Sequence, residues 1–157
     1  MAERVFVADG VRLIGDLEVG RDSSLWFNVV VRADVHYVRI GERTNIQDNS
    51  TVHVTSGEAP CVIGNDVTIG HNAIVHACTV EDLCLIGMGA VILDQAVIGA
   101  ESLVGAGALV TQGKRFPPRS LIHGSPAKVV RSLTEAELRG LRESAEHYVS
   151  AARGYLP

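Results

Sequence analysis

Aromatic residues are scarce in this chain: Phe, Trp and Tyr make up only 4% of its 157 residues. A core with so few rings needs another filling, and the chain holds 22 valines, 10 isoleucines and 16 glycines. β-branched residues favour strands and glycines favour tight turns, so the composition argues against a helical bundle. The length fits one domain, and 46% hydrophobic residues exclude a disordered chain. The sequence therefore predicts many short strands joined by frequent turns.

Other shortages exclude whole classes of function. No apolar run reaches the roughly 18 residues of a membrane span, and the first residues lack the apolar segment of a signal peptide. The formal net charge of −4 leaves no basic excess to bind nucleic acid. The three cysteines, Cys61, Cys78 and Cys84, are odd in number and form no C-x-x-C pair. We expect a reduced, cytoplasmic protein that binds neither membrane nor nucleic acid.

An aliphatic residue recurs every six positions along most of the chain. These positions, called anchors below, are Val7, Leu13, Val19, Leu25, Val31, Ile40, Ile46, Val52, Ile63, Ile69, Val75, Val80, Ile86, Ile92, Ile98, Val104 and Val110. A period of six matches neither the helical 3.6 nor the strand period of 2.0. It fits one short strand and one corner per six residues, so that three such units close a triangular coil of about 18 residues.

The residues around the anchors fit the same interpretation. We expect each anchor to point inward and to stack on the anchor one coil away. A small or β-branched residue stands four positions after most anchors, as a narrow interior requires. Seven anchors precede glycine, which suits a corner that needs unusual backbone angles. Over residues 7–112 the pattern resembles the hexapeptide-repeat proteins, and that resemblance implies a left-handed parallel β-helix.

The six-residue period is predicted to stop after Gly113. We therefore expect a β-helix domain over 1–113, an extended link over 114–133 and an α-helix over 134–155. Thr134 with Glu137 three positions later forms a capping-box sequence. Apolar residues at a spacing of three to four give the helix one apolar face. This face is expected to pack either on the β-helix or on a neighbouring subunit.

Two of the six histidines fall in register with the repeat. His53 and His76 each follow an anchor, Val52 and Val75, on the same face one coil apart. Their imidazoles should therefore stack near the strand spacing of roughly 4.8 Å and point out of the coil. His71 falls on another face, so one chain could not easily bring all three rings onto one metal, whereas the edges of two chains could. Three histidines with an open fourth position are the pattern of a catalytic zinc site.

The alternative for these three histidines is an ordinary polar surface without a ligand. We interpret the other three, His36, His123 and His147, in that way.

Several segments around the histidines closely resemble the γ-class carbonic anhydrases. They are Asn45-Ile46-Gln47-Asp48 before His53, Gly70-His71-Asn72, His76-Ala77-Cys78, Trp26-Phe27-Asn28 and Val31-Arg32-Ala33-Asp34, and the similarity extends over nearly the whole chain. The resemblance implies a homotrimer with one metal at each subunit interface. It implies His53 and His76 as ligands from one chain and His71 from the next. The implied reaction is the reversible hydration of CO2 to bicarbonate by metal-bound hydroxide, with Zn as the metal and Co or Fe as alternatives.

The same resemblance implies roles for the surrounding polar residues. Gln47 would position the metal-bound water and Asn45 would support the ligands. Arg32 and Asp48 would form an ion pair across the interface, with Asp34 also near the site. An amide suits the water because it orients hydrogen bonds without adding charge.

The chain departs from the family in the loop that follows its first metal-ligand histidine. The best-known members carry a long acidic loop there, with a Glu that shuttles protons. Here the loop runs only from Thr55 to Pro60 and holds the single acid Glu58. Glu58, Tyr148 or buffer would have to accept the proton, and weak turnover is a second expectation.

Two other functions remain open. Gly124-Ser125-Pro126-Ala127-Lys128 resembles the end of the coil in hexapeptide-repeat acyltransferases, so a CoA-dependent acyltransferase with a His as general base is one alternative. The other is a trimeric scaffold that keeps the metal without useful turnover.

Overall fold

A computed structural model describes residues 1–156 as a parallel β-helix of about six turns followed by one α-helix. The strands are β1 (Phe6–Val7), β2 (Arg12–Val19), β3 (Ser24–Leu25), β4 (Val30–Ile40), β5 (Asn45–Ile46), β6 (Thr51–His53), β7 (Cys61–Ile63), β8 (Thr68–Ile69), β9 (Ile74–His76), β10 (Thr79–Val80), β11 (Leu85–Ile86), β12 (Val91–Ile92), β13 (Val97–Ile98), β14 (Leu103–Val104), β15 (Leu109–Val110), β16 (Arg115–Phe116), β17 (Ser120–Gly124) and β18 (Ala127–Ser132). The helix α1 spans Glu135–Arg153. The predicted fold class, a parallel β-helix with a C-terminal α-helix, is confirmed.

Three ladders of parallel strands form the faces of the coil. One ladder runs β1-β3-β5-β8-β11-β14-β17. The long strand β4 joins the other two, because its start pairs with β6 and its end pairs with β7. From β6 the ladder continues through β9, β12 and β15, and from β7 it continues through β10, β13 and β16.

The anchors stack as the sequence predicts. On the face that carries the histidines, the paired residues in successive coils are Leu13, Val31, Val52, Val75, Ile92 and Val110. All of these except Leu13 are fully buried. The small residues four positions later, such as Ala73 and Ala90, are buried as well. The interior along this face is thus filled by aliphatic and small side chains.

The glycines that follow anchors have a different cause from the predicted one. None of those seven has a positive φ, whereas corner residues such as Asn49 and Asn72 do, at 61° and 57°. A Cβ on Gly41 would instead lie 2.5 Å from the carbonyl carbon of Gly64 in the next coil. Glycine is therefore needed there because adjacent coils approach closely, and asparagine tolerates the left-handed corner.

The β-helix extends beyond Gly113, which corrects the prediction of an extended link over 114–133. Strand β16 pairs with β13, and β17 pairs with β14 before β18 folds back antiparallel onto β17. Phe116 and Ile122 continue the six-residue spacing from Val110 and are 9% and 0% exposed. The aromatic residue and the following Pro117-Pro118 hide this continuation in the sequence.

The capping box at the start of α1 is present. Thr134 Oγ1 accepts a hydrogen bond from the Glu137 backbone N–H at 3.2 Å, and the Thr134 backbone N–H donates to Glu137 Oε2 at 2.8 Å. The cap satisfies backbone donors that an uncapped helix leaves free.

The helix packs on the β-helix of its own chain. Leu138 and Leu141 are buried against a patch that includes Leu85 and Leu103 of β11 and β14. One end of the helix also covers Trp26, whose ring lies 5.6 Å from that of Tyr148 in an edge-on contact. Among residues 1–156, no helix combines the length and apolarity that a membrane crossing requires.

The close approach of adjacent coils predicts that an added side chain at an anchor glycine destabilises the fold. We expect Gly41→Ala to lower the urea midpoint of unfolding more than Gly107→Ala does. The new methyl of Gly41→Ala meets backbone, and overpacking of this kind costs about 1–3 kcal/mol. Gly107 differs in both respects: its φ is positive, at 68°, and a Cβ there meets no atom within 4 Å. Equal midpoints for the two variants would contradict this explanation of the anchor glycines.

Candidate metal centre

His53 and His76 lie side by side on the outer surface of the β-helix. The parallel register of β6 and β9 pairs the two residues directly, as the repeat predicts. Their facing nitrogens, His53 Nδ1 and His76 Nε2, are 3.0 Å apart. The side chains are only 18% and 29% exposed, so the coil holds both rings in place.

A carboxylate binds the outer nitrogen of each ring. His76 Nδ1 lies 2.6 Å from Asp94 Oδ1, and His53 Nε2 lies 3.2 Å from Asp34 Oδ1. An ionised carboxylate only accepts hydrogen bonds, so these contacts favour, in each neutral ring, the tautomer with its proton on the nitrogen that faces the carboxylate. The two facing nitrogens then both present lone pairs. Lone pairs at 3.0 Å repel each other unless a shared cation lies between them.

The pair suits a divalent metal ion. Two nitrogen ligands at 2.0–2.1 Å from a tetrahedral zinc are roughly 3.3 Å apart, close to the separation of the facing nitrogens. Metal-bound histidines commonly donate their other N–H to a carboxylate, which is the arrangement of both rings here. The donor chemistry of these residues therefore fits a metal.

His71 carries the same kind of carboxylate contact on a different face of the coil. Its Nδ1 is 2.9 Å from Asp48 Oδ2, and its side chain is 41% exposed. Anchors Ile46 and Ile69 pair in register, and Asp48 and His71 each stand two positions after them. Within residues 1–156, no cluster of three or more His, Cys, Asp or Glu side chains could hold a metal. One chain thus brings together two of the three predicted ligands.

Gln47 and Asn45 belong to a buried line of hydrogen bonds. Gln47 Nε2 donates to Asn45 Oδ1 at 3.1 Å, and Asn45 Nδ2 donates to Thr68 Oγ1 at 2.9 Å. Thr68 Oγ1 in turn lies 3.1 Å from Ser144 Oγ on α1. With its nitrogen engaged, Gln47 keeps Oε1 as the atom that can accept a hydrogen bond from a water.

A cavity of about 420 Å³ lies between α1 and the face formed by β8, β11 and β14. Gln47, His71 and Tyr148 contribute polar groups, and Leu85 and Met88 are among its apolar lining. Burial, and to a smaller extent the charge of Asp48, raise the pKa of Tyr148. Tyr148 therefore keeps its proton at neutral pH, which argues against it as the proton carrier.

Arg32 and Asp34 pair with each other within the chain. The Arg32 hydrogen bond is the main reason that the pKa of Asp34 is lowered, which keeps this carboxylate ionised beside His53. Asp48 contacts His71, so the predicted Arg32–Asp48 pair is not formed inside one chain. Glu58 is exposed on the turn between Thr55 and Ala59, outside the hydrogen-bonded groups that hold the histidines.

Asp94 is the site residue that the sequence reasoning missed. It stands two positions after anchor Ile92, which pairs with Val75 beneath His76. Its second oxygen accepts a hydrogen bond from Thr55 Oγ1. Burial raises the pKa of Asp94, but the hydrogen bonds from Thr55 and His76 outweigh it and the net shift is downward. Counting in register from Val75 would have placed this carboxylate one coil from His76.

Comparison with known proteins decides the family. The chain is 46% identical to a carbonic anhydrase of Geobacillus kaustophilus over 155 residues, which is 99% of this chain and 85% of that protein. The chain belongs to the γ-class carbonic anhydrase family. It is also 46% identical to gamma carbonic anhydrase 1, mitochondrial, of Arabidopsis thaliana, but spans only 58% of that protein's length.

Two further comparisons describe the scaffold of this γ-class chain. Residues 60–93 match the family model described as "Bacterial transferase hexapeptide (six repeats)". A crystal structure of a candidate acetyltransferase from Bacillus cereus superposes with a TM-score of 0.95 at 45% identity, covering 98% of this chain and 89% of that one. The γ-class family thus shares its β-helix with transferases, so fold alone does not separate the two activities.

Proposed function

We propose that this chain is a metalloenzyme that catalyses the reversible hydration of CO2 to bicarbonate. The observation that carries the proposal is the pair of facing nitrogens on His53 and His76, 3.0 Å apart. Carboxylates engage the outer nitrogen of each ring and leave the two facing nitrogens to bind a metal between them. Membership in the γ-class family supports the same activity.

The third ligand is proposed to come from a neighbouring subunit. His71 lies on a different face from His53 and His76, and residues 1–156 contain no complete three-ligand set. In a homotrimer, His71 of each subunit would complete the pair on the next. Arg32 and Asp48 would then face each other across the same interface, beside Asp34.

Each residue of the centre has a defined task in this proposal. His53, His76 and the neighbouring subunit's His71 would hold the metal, with Zn as the first candidate and Co or Fe as alternatives. When bound, such a metal supplies a hydroxide nucleophile at neutral pH. Gln47 Oε1 orients the water by accepting its hydrogen bond, and Asn45 fixes the Gln47 amide. Small apolar CO2 suits the largely apolar cavity beside Gln47 and His71.

The reaction releases bicarbonate and one proton, and the proton must leave the site. Tyr148 holds its own proton too tightly to carry another one away. Glu58 is exposed on its short turn, five positions after His53. We therefore assign proton export to Glu58 or to buffer. This route is less direct than a long acidic loop and is compatible with slow turnover.

A reduced, cytoplasmic setting remains our proposal for the compartment. Cys61, Cys78 and Cys84 are all free and buried. Burial raises the pKa of Cys84 to about 12, so this thiol is unreactive at neutral pH and acts as core filling.

One specific observation favours a second candidate, a CoA-dependent acyltransferase. The Bacillus cereus structure that superposes so well is described as a candidate acetyltransferase. In our chain, however, Gly124 and Ala127 pair across the turn between β17 and β18, where the segment ends the β-helix. Acetyl-CoA binding to the purified protein would support the transferase.

Stopped-flow CO2 hydration tests the proposed activity. We expect the metal-loaded protein to accelerate hydration above the buffer rate, and His76→Ala to reduce the rate at least about 100-fold by removing a ligand. His123→Ala, at an exposed histidine of β17 that is not among the cavity-lining residues, should leave it unchanged. A wild-type rate equal to that of buffer, with metal bound, would instead support a scaffold without turnover.

A complementation experiment tests the shared site. Subunits with His76→Ala and subunits with His71→Ala should each fail to bind metal alone. Mixed trimers should regain one complete site each, because an intact pair then meets an intact His71 at one of the interfaces. Metal content after unfolding and refolding the two variants together measures the effect. If the refolded mixture binds as little metal as each variant alone, the ligands are not shared between subunits in this way.

A further inference from the structure

We propose that Asp94, held by Thr55, is the positioning residue that fixes the tautomer of His76 for metal binding. The inference rests on the proposed metal site, and extends it to two residues that are neither ligands nor part of the resemblance. Asp94 acts through His76, so it raises the affinity of the centre for metal without contacting the metal or the substrate.

The two carboxylate oxygens of Asp94 have different hydrogen-bond partners. Oδ1 lies 2.6 Å from His76 Nδ1, a distance typical of a charge-assisted hydrogen bond. Oδ2 accepts the hydroxyl of Thr55. A carboxylate engaged on both sides cannot rotate without losing a hydrogen bond. His76 is therefore restricted to the tautomer with its proton on Nδ1 and its lone pair on Nε2, the nitrogen that faces His53.

Asp82 shows what an aspartate at this position does when it has only a structural task. Both Asp82 and Asp94 precede a left-handed corner residue, Leu83 at φ 56° and Gln95 at φ 60°. Asp82 Oδ1 accepts the backbone N–H of Asn65 at 2.7 Å, which links it to the preceding coil. Asp94 differs because its two partners are the side chains of a proposed ligand and of Thr55.

Thr55 reaches Asp94 because of the short turn after His53. The Thr55 backbone N–H donates to the carbonyl of Ala59 at 3.3 Å, which closes the turn and fixes the position of Thr55. Thr55 is 39 positions from Asp94 in sequence, yet the coil stacking brings the two side chains together. In this chain the turn thus supports a ligand, in addition to carrying Glu58.

Metal affinity is the first test. Zinc affinity, measured by chelator competition on the trimer, should fall about 10- to 100-fold in Asp94→Ala, the usual effect of losing a carboxylate behind a metal-bound histidine. Thr55→Val should weaken it by a smaller factor, and Thr55→Ser should restore it because the hydroxyl returns. Asp82→Ala is the matched control and should bind zinc as the wild type does. Unchanged affinity in Asp94→Ala would overturn the proposal.

The second test reads the tautomer without any metal. Long-range ¹H–¹⁵N correlation spectra of the metal-free protein at alkaline pH, where an ordinary imidazole is neutral, distinguish protonated Nδ1 from protonated Nε2. We expect protonated Nδ1 in the wild type and in Asp82→Ala, and a mixture in Asp94→Ala. Protonated Nε2 in the wild type would refute the proposal.

The two tests separate this proposal from the function it rests on. If the wild type shows the expected tautomer, and loses it in Asp94→Ala, but binds no zinc, then Asp94 positions His76 and the proposed metal function is wrong. If zinc binds and the Asp94→Ala tautomer is unchanged, the function stands and the positioning role is wrong.

Discussion

Backbone hydrogen bonds between successive coils hold residues one coil apart in fixed register, and the other features of this molecule depend on that constraint. The Thr51 N–H donates to the Ala73 carbonyl, and the Ile74 N–H donates to the Ala90 carbonyl, each at 2.9 Å. Strands tied in this way cannot slip without exposing a whole row of buried anchors. His53 and His76 are thus placed opposite each other by the scaffold.

Stacked histidines alone would not define a metal site, because each neutral ring could carry its proton on either nitrogen. Carboxylates remove that freedom. Asp34, Asp48 and Asp94 come from three separate segments, and each faces one of the three predicted ligands. Their negative charges also favour a cation nearby. The same coil stacking that aligns the histidines brings these carboxylates within hydrogen-bond distance.

Much of this arrangement was predictable by counting in sixes. The stacked anchors and the pairing of His53 with His76 follow directly from that count. The continuation through Phe116 and Ile122 was missed because an aromatic residue and two prolines interrupt the aliphatic pattern. Asp94 was missed for a different reason. Counting places it one coil from His76 but offset by one position from that register, and only the direction of its side chain shows that the two are in contact.

The anchor glycines show a second limit of sequence reasoning. A glycine at a corner can mean a left-handed backbone or a close contact, and the sequence does not distinguish them. Here the close contact explains glycines such as Gly41, while residues such as Asn72 take the left-handed angles. A second subunit is likewise outside the pattern of one chain: the repeat allows His71 to meet the other two histidines only across two chains, and the family resemblance implies that arrangement.

The most direct test of the shared centre is a crystal structure of the zinc-loaded protein, with anomalous data collected at the zinc absorption edge. The account predicts one anomalous peak per chain, about 2.0–2.1 Å from three nitrogens. Two of them should belong to His53 and His76 of one subunit, and the third to His71 of its neighbour. A peak bound by residues of a single chain, or no peak beside His53 and His76, would contradict it.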